Sequence, residues 1–128
     1  MKIEKTEFGG WANCLRLSND HAELTVTLEV GPRVLCYCHR PGGKNVVKTN
    51  PEEMGTSGEA HFVARGGHRF WLAPETERTY LPDNVPVTSE LLPDGVRLVS
   101  SFLIAPAKLS SRTPSASSSE VTGTLSGR

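Results

Sequence analysis

Ala22-Glu23-Leu24-Thr25-Val26-Thr27-Leu28-Glu29-Val30 alternates apolar and polar side chains at every step. Successive side chains on a strand point to opposite faces, so this stretch reads as a β-strand with one buried and one solvated face. Upstream, Ser18-Asn19-Asp20-His21 is a run of turn formers, and Asn13 to Leu17 supplies the partner strand of an antiparallel hairpin. Downstream, Gly31-Pro32 ends the strand, and Arg33 to His39 begins another that Arg40-Pro41-Gly42-Gly43 stops.

Working outward, Lys2 to Glu7 is a charged, weakly alternating edge strand, and Phe8-Gly9-Gly10-Trp11 is a turn in which Trp11 serves as a lid on the core. Asn45 to Val47 adds a few strand residues. Thr49 to Gly55 makes one helical turn with Asn50 as N-cap, Pro51 first inside, and Glu52 and Glu53 at the positive end of the dipole. Val85 to Leu91 and Val96 to Leu103 form a second hairpin around Leu92-Pro93-Asp94-Gly95. Beyond that single turn no stretch carries an apolar stripe of helical period. The fold class is all-β, an antiparallel sandwich or part of a larger one.

With 14 basic and 14 acidic residues the chain has no net charge and no Lys/Arg cluster, which argues against a nucleic-acid partner. Its apolar runs are far shorter than the roughly 20 residues of a membrane span. Met1 to Glu7 lacks the apolar core of a secretory signal, so the expected location is cytoplasmic. The three cysteines, Cys14, Cys36 and Cys38, fit a reducing compartment. Alternation puts Cys36 and Cys38 on the face of Val34, as core residues with His39 opposed to them, so neither a metal nor any other cofactor is expected. From Ser110 onward ten of the last nineteen residues are Ser or Thr. Such a segment has little apolar surface to offset its ordering entropy, which divides the chain into a β domain at 1–105, read as truncated, and a flexible tail at 106–128.

The candidate site lies in Gly66-Gly67-His68-Arg69-Phe70-Trp71-Leu72-Ala73-Pro74-Glu75 and its continuation to Tyr80-Leu81-Pro82-Asp83-Asn84. The glycines free the backbone for a tight corner. A short strand beyond it puts Phe70 inward and Arg69 with Trp71 on the accessible face, a guanidinium beside an indole. That surface suits a sugar, a planar ring or a carboxylate, because aromatic faces cover C–H patches and Arg offers directed donors to oxygen. Glu75 and Asp83 sit on a loop bracketed by Pro74 and Pro82. Asp83 and Asn84 read either as ligands or as turn-capping residues. Arg33, held by Pro32, is either aimed at this site or a solvated charge.

The chain resembles DUF4380-type bacterial proteins with a galactose mutarotase-like fold. The resemblance rests on Gly9-Gly10-Trp11 with Asn13-Cys14, on Leu15 to Asn19, on Val30-Gly31-Pro32-Arg33, and on the motif just quoted, over about residues 7 to 100. It implies the N-terminal part of a β-supersandwich that binds carbohydrate in a cleft on one large sheet. Mutarotases use a His as general acid and a Glu as general base, both with pKa values near neutrality. By resemblance His68 is the acid, and Arg33 and Arg69 clamp the substrate. The base of those enzymes comes from a C-terminal half with no counterpart here.

Two functions follow. One is a carbohydrate-binding protein related to aldose 1-epimerases, with His68, Arg33, Arg69, Trp71, Glu75, Asp83 and Asn84 at the site and a small-molecule sugar as partner. The other is a non-catalytic β-sandwich module or inactive fragment that self-associates through exposed sheet edges. Metal hydrolysis by His61, His68, Glu75 and Asp83 is disfavoured, since their spacing matches no metal motif.

Overall fold

The computed structural model describes residues 1–70, 73–75, 79, 82–104 and 117–126, with backbone alone at 82, 101–104 and 117–126. Among the described residues eight strands form two antiparallel sheets, in the orders β1-β2-β3-β4-β5 and β6-β7-β8. The fold is all-β, as the alternation requires. The first sheet comprises β1 (Lys2–Phe8), β2 (Trp11–Ser18), β3 (Glu23–Thr27), β4 (Arg33–Cys38) and the two-residue β5 (His68–Arg69). The second comprises β6 (Thr88–Leu92), β7 (Gly95–Ile104) and β8 (Ser117–Ser126).

The hairpin of β2 and β3 sets Leu15 opposite Val26 and Leu17 opposite Leu24. These side chains join Leu28, Val87, Val96 and Leu98 in a core cluster that draws on both sheets. Burying each such aliphatic side chain contributes about 1.5–3 kcal/mol. A backbone bond from Val87 N–H to the Leu28 carbonyl, 3.0 Å, ties the lead-in to β6 to the residue after β3.

β3 departs from the expected pattern of one dry and one wet face. It ends at Thr27, and Thr25 and Thr27 are 3% and 0% exposed. The cause is a second core cluster of Trp11, Cys14, Val30 and Leu35. Cys14 lies directly opposite Thr27, so this cluster is on the Thr face, and the sheet is covered on both sides there. Trp11 is wholly buried, with Nε1–H donating to the Thr56 carbonyl at 3.0 Å, which suits its role as a lid.

A bulge changes the reading of β4. Val34 pairs with Val26 and Cys36 with Thr25, so Leu35 is an extra residue against β3. Val34 therefore packs on the first cluster, while Cys36 and Cys38 turn to the face of Thr25 and Glu23. Strict alternation placed all three on one face; an inserted residue shifts the phase and overturns that expectation.

Asn45 to Val47 form no strand. The Asn45 side chain accepts from Tyr37 N–H at 3.0 Å and donates to the Leu35 carbonyl at 2.9 Å, beside a single backbone bond from Val46 N–H to the Tyr37 carbonyl at 3.0 Å. The expected helical turn is a 3-10 turn at Pro51–Glu53. Asn50 makes no side-chain cap; its Nδ2 donates to the Ala64 carbonyl at 2.5 Å. The second hairpin forms as expected, Leu92 pairing with Gly95 across Pro93-Asp94.

Ser117–Ser126 departs from the flexible tail that its composition suggested. It pairs antiparallel with β7 from Ile104↔Ser117 to Gly95↔Ser126. Without it, β7 would present an unpaired row of N–H and C=O groups, and Thr122, Thr124 and Val121 are good strand residues. Residues 105–116, 127 and 128 of the expected tail lie outside the described residues. Among the described residues no helix is long and apolar enough to cross a membrane.

Candidate functional site

Gly66 and Gly67, at φ +73° and +79°, bring the chain against its neighbours. A Cβ on Gly66 would come to 2.6 Å from the Lys48 carbonyl oxygen, and one on Gly67 to 2.6 Å from that of Val34. Only glycine fits both conformation and gap. This close pass delivers β5 to the edge of β4, where Arg69 pairs with Arg33 and His68 with Val34.

Neighbouring residues on a strand face apart, so the His68 imidazole and the Arg69 guanidinium diverge. His68 and Phe70 are exposed, Phe70 at 54%, while the Arg69 side chain is 23% exposed. The expected parity, Phe70 inward and Arg69 outward, is thus reversed. The reason is Asp83: Arg69 Nη1 donates to its Oδ2 at 3.2 Å, and Arg33 Nη2 donates to the same oxygen. One buried carboxylate attracts two cations more strongly than the phenyl ring seeks burial, since a buried charge needs a partner. Trp71 lies outside the described residues. Glu75 is exposed.

Arg33 is neither a solvated charge nor an open ligand. At 2% exposure it donates through Nη1 to the Gly66 carbonyl and through Nη2 to Asp83. Burial lowers its pKa from the usual guanidinium value, and the Asp83 carboxylate works the other way. Asp83 and Asn84 come from a 3-10 turn at Pro82–Asn84 and are 5% and 1% exposed.

Asn84 belongs to a second buried network around Arg65, which is wholly buried. Arg65 Nη1 donates to Asn84 Oδ1 at 2.7 Å, and Nη2 donates to the Thr56 carbonyl and to Glu59 Oε2. Its guanidinium stands 5.9 Å from the Trp11 ring centroid. Asn84 Nδ2 donates to the carbonyls of Glu59 and His61 at 3.0 and 2.6 Å. Burial raises the Glu59 pKa, but the Thr56 hydroxyl and Arg65 together outweigh it and bring the carboxyl down to about 2. In the sequence Arg65, between Val63-Ala64 and the glycine pair, reads no differently from a solvated charge.

The structure thus brings Arg33, Arg69 and Asp83 together, joins Asn84 to Arg65, and leaves His68 apart. Asp83 Oδ1 and the Nε atoms of Arg33 and Arg65 have no hydrogen-bond partner among the described residues. Phe62, unforeseen from the sequence, completes the accessible part: the Arg69 guanidinium lies 4.9 Å from its ring centroid, and the ring is 39% exposed. No family model, curated protein or solved structure matches the chain.

Proposed function

We propose that the chain binds carbohydrate, through the surface made by Arg69 and Phe62. The observation that carries this is the Arg69 guanidinium, part exposed, held by Asp83 and laid over the Phe62 ring. Aromatic rings take the C–H patches of a pyranose, and a fixed guanidinium donates to its hydroxyls. Phe62 here supplies the ring expected of Trp71 beside Arg69. Arg33, Asp83 and Asn84 hold the platform from behind rather than touch the ligand. The resemblance to mutarotase-like proteins supports the same ligand class, and with it anomer exchange, although His68, the expected general acid, faces away from Arg69.

NMR titration with glucose and galactose tests the proposal. Shifts at the Phe62 and Arg69 signals, lost in Arg69→Ala, are the expected result; unchanged spectra with both sugars would remove it. Polarimetry on the α-anomers separately tests the exchange reaction.

A second reading, a self-associating β module, is favoured by Leu91, 66% exposed on the outer strand β6. Concentration-dependent sedimentation abolished by Leu91→Lys would support it.

A further inference from the structure

Away from this surface, the bulge at Leu35 gathers three groups with metal-binding chemistry. Cys36 Sγ and Cys38 Sγ stand 3.4 Å apart, and a Glu23 carboxylate oxygen lies within 4.8 Å of both. Glu23 is directly opposite Cys38 in the ladder, which puts their side chains on one face as neighbours. The adjoining turn holds both: Gly42 N–H donates to Glu23 Oε2 at 3.3 Å, and the Cys38 thiol donates to the Gly43 carbonyl at 3.2 Å.

We propose that Cys36, Cys38 and Glu23 form a binding site for a thiophilic divalent cation such as zinc, with solvent completing the coordination. Two sulfurs and one carboxylate oxygen suit tetrahedral zinc, whose bonds to sulfur and oxygen run about 2.3 and 2.0–2.2 Å. Tetrahedral bonds of that length separate two sulfurs by roughly 3.8 Å, so the pair opens by only a few tenths of an ångström. Cys36 and Cys38 are 6% and 2% exposed, and Glu23, half-buried, gives the open side. On binding, each thiol loses its S–H proton to solvent and gains one bond to the ion; no oxidant or reductant takes part. A disulfide is the competing fate. Residues two apart on a strand have Cα atoms about 6.6 Å apart, near the outer limit of disulfide geometry.

The full-length, reduced protein titrated with Co²⁺ tests the site. The expected result is a thiolate-to-cobalt charge-transfer band that saturates at one ion per chain and is bleached by Zn²⁺. Glu23→Gln should weaken the cobalt affinity at least about tenfold, with an unchanged circular dichroism spectrum. Cys36→Ser or Cys38→Ser should remove most of the band, whereas Cys14→Ser should keep it. As a check that needs no variant, Zn²⁺ should protect Cys36 and Cys38 of the wild-type chain from alkylation, read by mass spectrometry. Absence of the band in folded wild-type protein, or a band that persists in the Cys36→Ser/Cys38→Ser double variant, would overturn the proposal.

Discussion

Arg33 and Asp83, fifty residues apart in sequence, form an ion pair whose side chains are 1% and 7% exposed. The first belongs to β4 and the second to the 3-10 turn before the second sheet's lead-in, so the pair fastens the loop region to the sheet. Taking both charges out of water is costly, and the pair is worth having only while both members are present.

Asp83→Ala should therefore cost about 3–5 kcal/mol, because Arg33 would be left buried and unpaired. Arg69→Ala should cost far less, since that side chain is partly solvated and makes the longer contact. Urea midpoints of the two variants check the order. A double replacement, Arg33→Met with Asp83→Leu, should recover much of the loss of Asp83→Ala. Equal effects of Asp83→Ala and Arg69→Ala would show that the buried pair is not what holds the turn.

Glu59 makes stability depend on acid. Its folded carboxyl is held at about 2, below its ordinary value of 4.5, so the folded state keeps it ionised after the unfolded chain has taken up a proton. The stabilisation is complete above the ordinary value and is lost as pH falls through the folded one. Melting temperature should accordingly drop between about pH 5 and pH 2. Glu59→Gln should melt lower at pH 7 and show a shallower acid slope; a wild-type slope in that variant would rule out Glu59 as its source.

The strands were readable because period-two alternation is local: Ala22 to Val30, the turn at Ser18 to His21 and the Pro93-Asp94 turn each carry their own signal. The face of Cys36 was not, because one inserted residue, Leu35, reverses the phase and nothing in the composition of Arg33 to His39 marks it. Arg69 and Phe70 failed for a different reason. Their orientation depends on Asp83, a partner fourteen residues away whose position is fixed by tertiary contacts. Arg33, Arg69, Asp83 and Asn84 were expected to contact a ligand; Arg33, Asp83 and Asn84 are buried and bonded within the chain, while Arg69 is part exposed. Phe62 and Arg65 lay just before the motif, and only the folded chain shows what they face.

Gly67→Ala should destabilise the corner by at least about 2 kcal/mol: left-handed backbone costs an L-residue roughly 1–2 kcal/mol, and the Cβ also meets the Val34 carbonyl oxygen at 2.6 Å. Because β5 hangs from this residue, the Arg69 contact with Asp83 should loosen with it. Gly42→Ala is the control, with φ +70° but open space around its Cβ. Thermal melts showing Gly67→Ala no worse than Gly42→Ala would mean that the close approach is relieved at little cost.

The pairing of β8 makes the sharpest claim against composition. Ten residue pairs link it to β7, from Gly95↔Ser126 to Ile104↔Ser117. Antiparallel ladders bond their partners alternately, so about half of the amides in Ser117–Ser126 should be protected. In Gly95 to Val99 of β7, which pair with β6 as well as β8, amides of both alternations should be protected. Native-state hydrogen exchange read residue by residue should show that pattern. Removing residues 117–128 should leave β7 open along one edge and make the truncated chain associate at concentrations where the full chain does not. If the 117–126 amides exchange as fast as an unstructured peptide, the segment is the flexible tail its serines suggest and the three-stranded sheet is a hairpin.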